Sequence, residues 1–120
     1  MPSFWQGYLD TLSRRFLDWA ADAPCKDRTA ELFASSEKQQ RVAADKYCVP
    51  CPHRLNCLIY SLAHVENYGV WGGTTENERK VLIKKVYSLD ARPSKLAKNI
   101  ELIAKKKVHK INEATQSAEA

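Results

Sequence analysis

The sequence predicts a small all-α domain, and three observations predict it. Apolar residues recur three and four apart along most of the chain, the spacing of one helical face. Short capping signals stand where such stretches begin, at Ser3 with Gln6, Ser36 with Gln39 and Thr75 with Glu78. No segment alternates apolar and polar residues as a strand would.

The first helix follows Ser3. Trp5, Tyr8, Leu9, Leu12, Phe16 and Trp19 form its apolar face, and Gly7 weakens it slightly. Asp22 to Pro24 ends it before Cys25. A second helix is expected from Glu37 to Tyr47, capped by Ser36. Cys48-Val-Pro-Cys-Pro52 cannot continue it, because two prolines remove amide donors and clash with the preceding turn. Pro52 suits the first turn of a third helix, His53 to Asn67, with Leu55, Leu58, Ile59, Leu62 and Val65 as its stripe. Tyr68-Gly-Val-Trp-Gly-Gly73 is a glycine-rich turn. Thr75 and Glu78 open a fourth helix to Tyr87. Arg92-Pro93 breaks the chain. Ser94 caps a last, basic helix from Lys95 to Ile111, and Asn112 to Ala120 reads as a disordered end.

The 120 residues are the size of one small domain, or one domain with a tail. At 44% hydrophobic and 28% charged residues a packed core is within reach, but chains this short often need an added fastener. No apolar run is long enough to span a membrane. Asp10, Arg14, Arg15 and Asp18 interrupt the apolar N-terminus, which is wrong for a secretory signal, so a cytoplasmic protein is expected. In a reducing compartment four thiols point to a metal rather than to disulfides.

The net charge of +5 is unevenly placed. Residues 92–120 carry seven cations, Arg92, Lys95, Lys98, Lys105, Lys106, Lys107 and Lys110, against three acids. That piece is +4 and the rest of the chain +1. A polyanion partner is expected for the C-terminal quarter alone. Lysines hold phosphates and discriminate little between bases, so the expected DNA binding is weak and salt-sensitive. The competing reading is a solvated helix that packs on the domain through Leu96, Ile100, Ile103, Val108 and Ile111.

The cysteines are spaced Cys25-x22-Cys48-x2-Cys51-x5-Cys57. Three ligands cluster around the start of the third helix, and Cys25 closes a long loop onto them. Four thiolates on a [4Fe–4S]²⁺ core or on Zn²⁺ leave a net negative charge, which the positive end of that helix favours. Structural zinc sites usually use two knuckle-like pairs. One pair with two unequally spaced singles suits a cubane better, while zinc and plain buried thiols remain open on spacing alone. His53 reads as a surface histidine rather than a ligand.

Cys48-x2-Cys51-x5-Cys57 followed by Gly69-Val-Trp-Gly-Gly73 resembles the WhiB-like family of actinobacteria and their phages. The resemblance spans about residues 18–85. It takes in Asp18-Trp19, Cys25, Asp27, Glu31-Leu32-Phe33 and Thr75-Glu-Asn-Glu-Arg-Lys80. It implies an all-α domain wrapped around a [4Fe–4S] cluster held by Cys25, Cys48, Cys51 and Cys57. It also implies a transcription regulator that docks on region 4 of the primary sigma factor and is otherwise monomeric. On this basis residues 1–17 are a helical extension, 18–88 the iron–sulfur domain and 89–120 a basic segment for DNA.

The expected sigma-facing surface is Trp19, Phe33 and the turn Gly69, Val70, Trp71, Gly72 and Gly73. Glycines let backbones approach closely, and a tryptophan on such a turn can anchor in a partner's pocket or simply cap the core. The family's usual Pro-Glu-x-Phe-Phe-Pro is Ala30-Glu31-Leu32-Phe33-Ala34-Ser35 here, so one aromatic is absent. The resemblance further implies a cluster sensitive to nitric oxide or oxygen.

Other functions are weaker. Cys48-x2-Cys51 spells a redox dithiol, and the resemblance carries a disulfide reductase activity of apo forms as an alternative. The βαβ pattern of thioredoxin-like folds is missing. Endonuclease III-type glycosylases share Cys-x2-Cys-x5-Cys, but 120 residues leave no room for a base-flipping pocket. A zinc-stabilised DNA-binding module is the remaining alternative.

Overall fold

The computed structural model describes residues 4–21, 23–88 and 92–119, without side chains at 4, 5, 17, 93, 94 and 111–119. The Ser3 cap, the Trp5 and Ile111 side chains, Asp22 and the Ser94 hydroxyl lie outside the described residues. The elements are α1 (Phe4–Ala20), α2 (Thr29–Leu32), α3 (Glu37–Ala43), α4 (Arg54–Ala63), α5 (Glu76–Ser88) and α6 (Pro93–Glu119). Among the described residues there is no strand, only an isolated bridge between Trp71 and Thr74. Among the described residues, no helix is long and apolar enough to cross a membrane.

One N-cap and one capping box form where the sequence predicts them. The Gln39 amide donates to Ser36 Oγ at 3.1 Å. The Glu78 amide donates to Thr75 Oγ1 at 3.3 Å, and the Thr75 amide donates back to the Glu78 carboxylate at 3.0 Å. Four elements differ from expectation. The short α2 has no pattern long enough to announce it. The second expected helix is α-helical only to Ala43 and then widens into a π turn, Ala44–Cys48, which delivers Cys48 into the interior. The third expected helix, α4, stops at Ala63 rather than Asn67.

Val65 explains that early stop. It takes a left-handed conformation, φ 53°. Its amide donates to the Leu62 carbonyl and the Glu66 amide donates to the Ser61 carbonyl at 2.9 Å. This is a Schellman ending with a β-branched residue where glycine is usual. The last helix starts earlier and runs longer than expected. The Leu96 amide donates to the Arg92 carbonyl at 2.8 Å, so Pro93 is the first helical residue and Ser94 lies inside the helix. The helix continues through the stretch expected to be disordered, as far as Glu119.

The main core lies between α1, α4, α5 and α6. Leu58, Leu62, Val86 and Ile100 are fully buried there, joined by Ile59, Leu82, Leu96 and Ile103. Tyr8, Leu9 and Leu12 of α1 and Val108 of α6 pack against it. The apolar face of α6 is thus part of the core. A second, smaller cluster holds Leu32, Ala43, Ala44, Tyr47, Cys48 and Val70, with Cys25 beside it.

Candidate metal centre and aromatic face

Cys25 sits in the turns between α1 and α2, where its carbonyl accepts from the Arg28 amide at 3.0 Å. Cys48 ends the π turn. The Cys51 amide donates to the Cys48 carbonyl at 3.0 Å, a tight turn that folds the pair together across Val49-Pro50. Cys57 is in the second turn of α4. All four are free thiols. They are close enough to bear on one another electrically: Cys48 feels Cys25 and Cys51, and Cys57 feels all three others.

Burial dominates the ionisation of Cys25, Cys48 and Cys57. It pushes the Cys48 thiol up to about 11, against the opposing pull of the Gly73 amide and the Arg41 charge. It pushes Cys57 further still, with Cys48 adding and the Gly72 amide opposing. Cys25 is raised as well, by burial and then by Cys51. Burial thus opposes thiolates at Cys25, Cys48 and Cys57, and a cationic core would offset that opposition. Metal uptake at such a site releases protons. Among the described residues, no three His, Cys, Asp or Glu side chains converge tightly enough for a single metal ion.

The glycine turn packs on α4 beside Cys57. Gly72 and Gly73 have φ 57° and 83°, which L side chains rarely adopt. Their backbone amides pull the Cys57 and Cys48 thiols down, respectively, against the larger effect of burial. The His53 amide donates to Cys51 Sγ at 3.4 Å. A Cβ on Gly72 would lie 2.5 Å from Leu58 Cβ and 2.7 Å from the Arg54 carbonyl, so the turn rests directly on α4. A Cβ on Gly69 would strike the Phe33 ring at 2.5 Å. The bridge closes the turn, with Trp71 N–H to Thr74 O at 3.1 Å and Thr74 N–H to Trp71 O at 2.9 Å.

Arg79 is the residue that sequence reasoning missed. Only 1% exposed, it sits beneath this turn. Its Nε donates to the Glu66 carbonyl and Nη2 to the Gly69 carbonyl, both at 2.6 Å, and Nη1 donates to the Thr74 carbonyl at 3.2 Å. Burial lowers its proton affinity; Glu76, Cys57 and Glu66 work the other way. Buried Gln40 supports the same region, donating to the Ala34 carbonyl and accepting from the Glu76 amide, each at 2.8 Å. Arg41 donates to the Gly73 carbonyl at 2.9 Å and pairs with Glu78.

A cleft of about 240 Å³ opens beside the quartet. Cys25 and Cys57 line it together with Trp19, Phe33, Trp71, Phe16 and Val70. The structure thus brings Trp19, Phe33 and Trp71 to one place. Phe16 stacks on Tyr60 at 4.5 Å, Tyr60 stacks on Trp71 at 5.7 Å, and Trp19 stacks on His53 at 5.4 Å. Phe33 is 49% exposed and Tyr68, which the sequence did not single out, is 73% exposed. Val70 and the three glycines of the turn are buried, so they shape the surface without offering side chains to it.

The expected DNA-contacting cations lie elsewhere, on α6 and just before it. Arg92, Lys95, Lys98, Lys105, Lys106 and Lys110 are exposed. Lys107 differs: its Nζ is 3.3 Å from the Glu78 carboxylate.

Comparison with known proteins places this arrangement in a lineage. The family model described as transcription factor WhiB matches residues 19–82. Over 73 residues the chain is 38% identical to the transcriptional regulator WhiD of Streptomyces coelicolor, covering 55% of this chain and 65% of that one, just under two thirds. It is 38% identical to WhiB of the same organism, covering 57% and 78%. It is 39% identical to WhiB2 of Mycobacterium tuberculosis, covering 53% and 72%. No solved structure matches the chain. The four cysteines and the glycine turn all fall within or close to the matched stretch, and the chain belongs to the WhiB family of transcriptional regulators.

Proposed function

We propose that this chain is an iron–sulfur transcription regulator that binds region 4 of the primary sigma factor and promoter DNA. Cys25, Cys48, Cys51 and Cys57 would each hold one iron of a [4Fe–4S] cluster. The donor set fits: four free thiols from three stretches of chain, with the His53 amide donating to Cys51 Sγ. One close cysteine pair with two unequally spaced singles suits a cubane better than the two knuckle-like pairs usual for zinc. When bound, the cluster ties the three stretches together and offers a centre that oxidants or nitric oxide can attack. One relative, WhiB3 of Mycolicibacterium smegmatis, is named a redox-responsive transcriptional regulator, and we extend that responsiveness to this chain.

The observation that carries the reading is the shared cleft. Cys25 and Cys57 line it with Trp19, Phe33 and Trp71, so a change at the sulfurs is felt directly by the aromatic surface. That surface would dock on sigma, with Tyr68 at its rim. The exposed lysines of α6 would then hold promoter phosphates once sigma has positioned the protein.

Anaerobic capture on sigma region 4, with metal analysis of the bound fraction, tests the reading. Retention of an iron- and sulfide-bearing protein, weakened at least tenfold by Trp71→Ala, is the expected result. Equal retention of Trp71→Ala removes Trp71 from the interface. For DNA, the buried face of α6 rules out truncation as a clean test, because deletion would unfold the core. Changing Lys98, Lys105, Lys106 and Lys110 to Gln should instead abolish salt-sensitive DNA retention and spare sigma binding.

A further inference from the structure

We infer that Arg79 is a positioning residue for the metal centre: its clamp on the carbonyls of Glu66, Gly69 and Thr74 holds the glycine turn against the stretch of α4 that carries Cys57. The inference rests on the iron–sulfur reading above and adds a residue that is neither a ligand nor a surface contact.

The turn cannot hold this shape by itself. Three glycines at positive φ make it the most permissive stretch of the chain, and one two-bond bridge closes it. Glycine gains no rigidity from its own side chain. The surroundings must supply it, and on the side of α5 Arg79 supplies most of it. Its guanidinium reaches the carbonyls of Glu66, before the turn, Gly69, at its start, and Thr74, at its end. It also donates to Thr74 Oγ1 at 3.3 Å. A charge buried this deeply is costly unless its donors are met. Here they are met by backbone oxygens, so the energy of burial is tied to the conformation of the turn.

The rigid fork matters more than the charge. Lysine has one ammonium on a flexible stem and cannot reach three divergent carbonyls at once. Across the turn, Gly72 is pressed on the Arg54 carbonyl and Leu58 amide with no space for a side chain. A turn released by Arg79 would lift away from α4, and its amides, whose influence reaches Cys57 and Cys48, would move away with it. Hydrogen bonds to ligating sulfurs are among the terms that set a cluster's potential. Losing them removes positive dipoles that favour the more negative, reduced state, so the potential should fall.

The test compares holo-protein of wild type, Arg79→Lys, Arg79→Gln and Lys85→Gln, all purified without oxygen. Lys85 is exposed on the same helix and serves as control. Resonance Raman bands of the Fe–S(Cys) stretches are recorded in H₂O and D₂O, and midpoint potentials by redox titration. The wild type should show a deuterium shift from its amide donors. Arg79→Lys should keep wild-type iron and sulfide, lose part of that shift and titrate at a more negative potential, while Lys85→Gln is unchanged. Identical bands, isotope shift and potential in Arg79→Lys overturn the inference and leave the iron–sulfur reading intact. If neither Arg79 variant holds iron, the wild-type spectrum decides: without a deuterium shift the inference fails. A wild type lacking iron and sulfide overturns both.

Discussion

The two apolar clusters of this chain are filled differently. The core between α1, α4, α5 and α6 is built of Leu58, Leu62, Val86 and Ile100, all with no exposed surface. The cysteine side contains Ala43, Ala44, Leu32, Val70, Tyr47 and Cys48. Two alanines and a cysteine bury little area, and each CH₂ removed from water is worth only about 0.8 kcal/mol. Polar clamps take up the difference. Gln40, Arg41 and Arg79 all bind backbone carbonyls on that side. The comparison teaches that the helical side is held by burial and the cysteine side by hydrogen bonds, and that the latter is where a metal centre has the most to add.

Removing the metal should break the comparison open most widely. Chelation of iron from the holo-protein should abolish amide exchange protection in residues 25–51 and 68–75 while leaving 58–62, 82–86 and 96–104 protected. Uniform loss across both regions would mean that the two sides fold as one unit. Ile100→Ala attacks the other side. A fully buried isoleucine cut to alanine should cost about 2–5 kcal/mol in denaturant unfolding, and α6 should come loose with the core it completes.

Glu78 joins the two regions, so its titration measures how firmly they are coupled. Burial works to raise its carboxyl, but the Thr75 amide, Arg41 of α3 and Lys107 of α6 outweigh burial and hold it below its ordinary 4.5. A carboxyl depressed by folding stabilises the protein above its unfolded value and loses that contribution as pH falls through the folded one. Stability should therefore decline below about pH 4.5. The decline should be shallower in Glu78→Gln, read by thermal unfolding across pH. Half-exposed pairs are screened, so the effect is small. Smallest and opposite in sign is Val65→Gly. Relieving a β-branched residue at φ 53° should stabilise the protein by about 1 kcal/mol.

What the sequence made legible was local. Ser36, Thr75 and Glu78 announce helix starts because a cap needs only residues three apart. The apolar face of α6 was readable for the same reason. Cys48 and Cys51 were readable as a pair, and the glycine turn as a turn. Arg79 was not legible, because an arginine in a basic helix normally faces water; its burial arises only when the chain from Glu66 to Thr74 folds over it. The π turn before Cys48 and the left-handed Val65 were hidden likewise. Neither residue type prefers its conformation, and packing imposes both. Lys107 looked like its neighbours in sequence, but its place on α6 brings it to Glu78.

Iron and acid-labile sulfide content of oxygen-free protein is the most direct measurement of the central claim. A brown, folded protein with the two in equal amounts, and loss of both on Cys57→Ser, is the result the account predicts. A colourless protein, free of both and just as well protected on its cysteine side, would contradict it.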